Sequence, residues 1–313
     1  MKERHNISSI QNCTVKKILH DNRKATTLET STGDVTLGNA KLILAMSTLP
    51  STTLMLNSFE HLQGIGRQFT GHFVTNIRAR VPLDGINGIH VSRKPEMAAI
   101  YIVGENEESK HQFHIQITAV AVTDGMDADA YNKMRILLKT PSDEQLRTCR
   151  NHLVFICASL GQLDHNNPQN RYELNERDDI TRNATLHLAT NEKDRALWDT
   201  MDQATYKVLN CFTSSGKTME YWNKDTKQWQ EERPKKIRMS ALVHPASTMP
   251  IGGIDDGKSP VNLDYRFRGV DNVYLTGGAL WPTGAAWNPT CAMTALAMDL
   301  ADKLTLKPPE SKL

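Results

Sequence analysis

His244, in the run HPASTMPIGG, and Asn288, in AAWNPT, are two side chains of this chain whose types could carry chemistry. An imidazole is the one side chain whose ordinary pKa lets it take and return a proton near neutral pH. A carboxamide does not titrate, but it can donate to and accept from a substrate oxygen. Each residue also has a plainer reading. A single histidine after the apolar Ala241–Val243 can be a satisfied core or surface side chain, and an asparagine before a proline is a favoured helix cap.

The elements that would position them lie close by. Val273–Thr276 is a short apolar run ending in Gly277–Gly278, and a turn-rich passage leads to Asn288–Pro289–Thr290. Proline suits a first helical position, where its missing N–H would be unpaired anyway. From Met293 the apolar residues recur at Leu296, Ala297, Leu300 and Leu304, which is the period of one helical face. The pattern predicts a buried strand, a loop and a helix whose N-terminal N–H groups face that loop. Such an end can hold a phosphate, a carboxylate or an oxygen that becomes negative during a reaction.

Cys13–His20 and Ala25–Thr30 read as strands, followed by a turn at Thr32–Asp34, a short strand Val35–Leu37, a buried strand Lys41–Ala45 and a helix opening near Pro50. His72–Val81 and Gln112–Val122 alternate cleanly, with Phe73, Thr75, Ile77, Ala79 and Val81, and Phe113, Ile115, Ile117, Ala119 and Ala121, on their inner faces. Ala98–Val103, Leu153–Leu160 and Thr185–Thr190 are further strands, and Val261–Leu263 a short one. Asp127–Lys139 and Glu192–Phe212 read as helices, the latter with Leu197, Met201, Leu209 and Phe212 inward. Met219–Trp222 and Gln228–Gln230 form a hairpin. Residues 72–240 therefore read as a mixed sheet with helices. His72, His114, His152 and His187 carry no local signature and read as structural or surface residues.

The 313 residues suffice for one large or two medium domains, and a net charge of +2 argues against nucleic acid as a partner. Five scattered cysteines without CxxC or zinc spacing imply free thiols in a reducing, cytoplasmic compartment and no metal site. No run approaches a membrane span, and the N-terminus lacks the apolar core of a secretory signal. No GxGxxG, P-loop or GxSxG spacing occurs.

NVYLTGGALWPTGAAWNPT with ALAMDLADKL resembles the C-terminal signature of the glucose–methanol–choline (GMC) flavoprotein oxidoreductases. HPASTMPIGG resembles the family's histidine motif, and Asn288 stands where the family places its second catalytic residue, histidine or asparagine. NCTVKKIL resembles the strand that meets the adenine, with Val15 at the contact. KLILAMSTLPSTTLML is similar to the family's ILAAGALNSPKLLL, with Ser47 in place of a glycine, and GIGRQFTGH to its GVGRNLQDH. The resemblance implies an α/β plus α+β chain that lacks the family's N-terminal GxGxxG segment. Residues 1–71 and 242–313 would form part of the FAD-binding domain, and 72–241 the substrate domain. It implies FAD as cofactor, held by Val15, Ser47, Gly277, Gly278, Pro289 and Thr290, and a small alcohol or sugar substrate. His244 would be the base and Asn288 an orienting group. A partner chain supplying the absent segment, or a non-catalytic ligand-binding remnant, are the alternatives that this reading leaves open.

Overall fold

The computed structural model describes residues 7–83, 96–122, 151–213, 218–253 and 256–305. The helix expected over Asp127–Lys139 lies outside the described residues. A three-stranded antiparallel meander comes first, of β1 (Val15–Asp21), β2 (Lys24–Thr30) and β3 (Val35–Thr36). Strand β4 (Leu42–Leu44) leads through Ser47 into helix α1 (Thr48–Ser58). The helix starts two residues before Pro50, because the first turn tolerates a proline there.

The central sheet is antiparallel. Its strands are β5 (Thr70–Pro82), β6 (Glu96–Glu105), β7 (Gln112–Val122) and β8 (His152–Gln162), paired in the order β5-β8-β7-β6. Phe73, Thr75, Ile77, Ala79 and Val81 of β5 are all fully buried, as their alternation requires, and Phe113, Ile115 and Ile117 of β7 join them. A small ribbon of β9 (Arg171–Leu174) and β10 (Ala184–His187) follows, and then helix α2 (Glu192–Asn210). Its start is a capping box. The Asn191 side chain accepts from the Asp194 N–H, and the Asp194 carboxylate accepts from the Asn191 N–H. Leu197, Met201 and Leu209 lie against Phe73, Ile77 and Phe155 in one apolar cluster, with Phe212 at its edge. The hairpin β11 (Glu220–Asn223) and β12 (Gln228–Gln230) extends the sheet beyond β5.

Strand β13 (Val243–Ala246) pairs with the start of β5, Val243 opposite His72. Strand β14 (Val273–Leu275) runs parallel to β4, with Val273 opposite Leu42, and helix α3 (Thr290–Thr305) closes the described chain. A second apolar cluster gathers both ends of the sequence: Ile18, Ala25, Leu44, Met55, Phe59, Met249, Phe267, Leu275 and Leu300. Asn272 ties these ends together, accepting from the Ala25 N–H and donating to the Ala25 carbonyl, each at 2.9 Å. The strand expected over Val261–Leu263 is reduced to isolated bridges. Pro260 has no N–H for a ladder, and the Asn262 side chain accepts from the Asp264 and Arg266 N–H groups, which turns the chain instead.

The fold is thus mixed α/β with a central antiparallel sheet. Among the described residues no helix is long and apolar enough to cross a membrane.

Candidate active site

The run from His244 to Ile251 is held on two sides. Thr48 donates to the Pro245 carbonyl at 2.6 Å, and the Thr52 and Thr248 hydroxyls share a 2.7 Å bond, so α1 anchors one flank. On the other flank the N–H groups of Ser247, Met249 and Ile251 donate to the carbonyls of Gly278, Ala279 and Leu280. Those three residues form the 3-10 turn that follows β14.

Regular pairing would not bring His72 and His244 together. Val243 lies opposite His72, and in a plain strand the next side chain points to the other face. Here the register slips between Val243 and Ala246, and His244 (φ 56°) and Ser247 (φ 68°) take left-handed backbone conformations. The alternation is broken, and the two rings meet edge to face with Nδ1 of His72 2.9 Å from Nδ1 of His244. Non-glycine residues in this region cost about 1–3 kcal/mol each, a strain that clusters at functional sites.

The loop before α3 is pinned by the same histidines. His72 Nε2 lies 3.1 Å from the Gly284 carbonyl and 2.7 Å from that of Ala285. His114, fully buried on β7, bonds through Nδ1 to the Ala286 carbonyl. Its ring stacks on Trp287 at 5.5 Å and 13°, with Tyr101 beyond. The two histidines therefore decide where the residues just before Asn288 lie. Burial holds both below the ordinary histidine pKa, His72 down to about 4, with its carbonyl partners opposing and its histidine neighbours assisting. Burial, then the nearby His114, also lowers His244.

A pocket of about 600 Å³ opens beside His244. Ser47, Thr48, Gly277, Gly278, Trp281, Pro289 and Thr290 line it, with Met293 and Ala297 from α3. The structure thus brings together six of the eight residues singled out from the sequence. Asn288 is exposed, two residues ahead of α3, and is not among the lining residues. Val15 begins β1, half-buried at the edge of the apolar cluster and away from the pocket wall. A larger, open cleft of about 680 Å³ lies between Arg67, His165 and Lys258, and none of these eight residues lines it.

The lining suits a flat, partly polar ring system. Gly277 has φ 95°, a conformation side chains avoid, and a Cβ built there would meet nothing, so bare backbone faces the pocket. Gly278 is glycine for a reason on the protein side: its Cβ would press on the Pro245 carbonyl and the Thr48 hydroxyl, both at 2.9 Å. The indole N–H of Trp281 is buried without a partner among the described residues. At Ser47, φ 70° and ψ 176° lie in a region open almost only to glycine.

His72 and His114 are the site residues that sequence reasoning passed over. Both stand opposite the apolar residues of their strands, where alternation reads a polar side chain as exposed, so no local signal marks them.

Residues 166–297 match the C-terminal family model described as GMC oxidoreductase. The chain is 27% identical over 124 residues to a C-glycoside 3-oxidase of Microbacterium trichothecenolyticum, an alignment covering 38% of this chain and 21% of that protein. A C-glycoside 3-oxidase of Arthrobacter globiformis is 34% identical over 73 residues, covering 23% and 14%. In fold the chain is similar to pyridoxine 4-oxidase from Mesorbium loti, with TM-score 0.57 and 14% identity over 96% of this chain and 59% of that one. An FAD-dependent oxidoreductase from Chaetomium thermophilum gives TM-score 0.55 at 12% identity, over 94% and 61%. Residues 166–297 are thus similar to the C-terminal domain of GMC oxidoreductases, and the described fold is similar to the two solved structures. The chain spans about three-fifths of the solved structures, and the curated relatives are matched over a quarter of their length or less.

Proposed function

We propose that this chain forms the substrate-facing part of an FAD-dependent oxidoreductase acting on a CH–OH group of an alcohol or sugar-like molecule, with His244 as the base. The observation that carries this reading is the shared pocket: His244 stands over the same cavity as Ser47, Gly277, Gly278, Pro289 and Thr290. The two C-glycoside 3-oxidase relatives favour a sugar-bearing substrate.

Bound in that pocket, FAD would supply the hydride acceptor. His244, kept neutral by burial, would take the hydroxyl proton on the ring nitrogen that His72 does not hold. The N–H groups at the start of α3, from Thr290 onward, would stabilise negative charge developing at the pocket floor. Asn288, on the loop that His72 and His114 pin, would orient the substrate oxygen by its amide. Desolvation of His244 shifts its proton uptake to lower pH, so the acid limb of substrate oxidation should fall below the ordinary 6.5.

A test is the rate at which an alcohol or sugar substrate bleaches the flavin absorbance of FAD-loaded protein. His244→Ala should slow it by roughly a hundredfold or more; an unchanged rate would remove His244 from the role of base. A second reading, a ligand-binding protein that needs a partner to hold FAD, is favoured by exposed apolar side chains on β4 and α3. Ile43 of the two-stranded parallel sheet is 45% exposed and Met298 of α3 64%. Parallel strands are normally covered on both faces. A chain that stays colourless when reconstituted with FAD alone, and gains flavin bands only with a second polypeptide carrying a GxGxxG segment, would support that reading.

A further inference from the structure

The proton positions in the buried histidine pair follow from its partners. A carbonyl oxygen can only accept, so the His72 nitrogen facing Gly284 and Ala285, Nε2, carries the hydrogen. His72 is 1% exposed and meets no carboxylate there, so the ring is neutral and its Nδ1 is a bare acceptor. Among the described residues the polar atom offered to that acceptor is Nδ1 of His244, at 2.9 Å, which must therefore be the donor.

We propose that His72 is the positioning residue that holds His244 in the Nδ1–H tautomer, leaving Nε2 as the one nitrogen able to receive a proton. The role is that of an orienting carboxylate beside a catalytic histidine, performed by a neutral group. The relay runs from the backbone of the loop before α3, through His72, to His244. The left-handed backbone at His244 is what brings its Nδ1 onto this partner. Without His72 the ring is free to place its hydrogen on Nε2, where it blocks proton uptake. The other titratable group close to the pair, His114, is occupied at Nδ1 by the Ala286 carbonyl.

The inference rests on His244 being the base, but its first test does not need the reaction. In protein labelled with 15N-histidine, long-range proton–nitrogen correlation spectra at about pH 8 report which ring nitrogen carries hydrogen, and His244→Gln assigns the His244 signals. Wild-type protein should show hydrogen on Nδ1 of His244 and on Nε2 of His72. His72→Leu should move the His244 hydrogen wholly or partly to Nε2. His72→Gln should keep the wild-type pattern, since its amide can accept from His244 and donate to the Gly284 and Ala285 carbonyls. In FAD-loaded protein, His72→Leu should slow flavin reduction about tenfold or more with substrate affinity unchanged, and His72→Gln should recover most of the rate. Hydrogen on Nε2 of His244 in the wild type overturns the proposal, as does an Nδ1–H pattern that survives in a folded His72→Leu protein. If the leucine variant does not fold, the wild-type and glutamine spectra decide. If His244→Ala leaves flavin reduction unchanged while the tautomers behave as stated, the base assignment fails and the positioning stands.

Discussion

Replacing Ser47 by glycine should stabilise this protein, against the usual direction of a substitution to glycine. Ser47 precedes α1 with φ 70° and ψ 176°, and its hydroxyl makes no capping bond to the helix. A residue with a Cβ in that region carries about 1–3 kcal/mol of strain. Glycine removes the strain and returns about 0.5–1 kcal/mol to the greater freedom of the unfolded chain. As an N-cap, glycine is only a few tenths of a kcal/mol poorer than serine. The net expectation is a gain of about 1 kcal/mol, at most 2, which for a chain of this size is about 1.5–3 °C in Tm. Urea unfolding should show a raised midpoint with unchanged slope. Ser47→Ala is the control, since it keeps the Cβ and loses only an unbonded hydroxyl, and should lie within about 0.5 kcal/mol of wild type. A glycine variant no more stable than wild type, or an alanine variant sharing its gain, would refute the strain argument.

Acid should unfold the protein partly through its buried histidines. His72 has a folded pKa of about 4 against an ordinary 6.5, so the unfolded chain binds the extra proton between these values. Its contribution is complete above pH 6.5 and is lost as pH falls towards 4, by about 3 kcal/mol at most; urea midpoints measured from pH 7 to 4 should flatten in His72→Gln. Gly278→Ala should destabilise by about 1–3 kcal/mol and disturb the His72–His244 contact, because the Pro245 carbonyl that a Cβ would meet is backbone and cannot swing aside. The same nitrogen spectra that report the tautomers would show the disturbance. Asp194→Ala should cost about 2–3 kcal/mol in denaturant unfolding, since the carboxylate accepts from the N–H of both Asn191 and the buried Asp164; a loss below about 0.5 kcal/mol would show the capping box to be dispensable.

Much of the architecture was written in local pattern. The alternation of β5 and β7, the period of α2 and α3, and the apolar run of β14 are properties of neighbouring residues, and each fixes which side chains face inward. The motifs around His244 and Asn288 likewise carried the resemblance, because they are short runs of neighbouring residue types. The strand expected at Val261–Leu263 gives way to a turn for a local reason, the missing N–H of Pro260 and the Asn262 side chain that accepts from the Asp264 N–H.

What only the tertiary structure decided is the proton chemistry. Nothing in GIGRQFTGH states that His72 will meet a residue 172 positions later, and nothing in strand β7 states that His114 will hold the loop before Asn288. Those contacts arise from a register slip between β13 and β5 and from a left-handed residue at His244. Both are choices of backbone made by long-range packing, to which a side-chain pattern is blind. The sequence by itself determined that a histidine would stand near a glycine-rich turn and a helix N-terminus. The fold determined which of its two nitrogens is free.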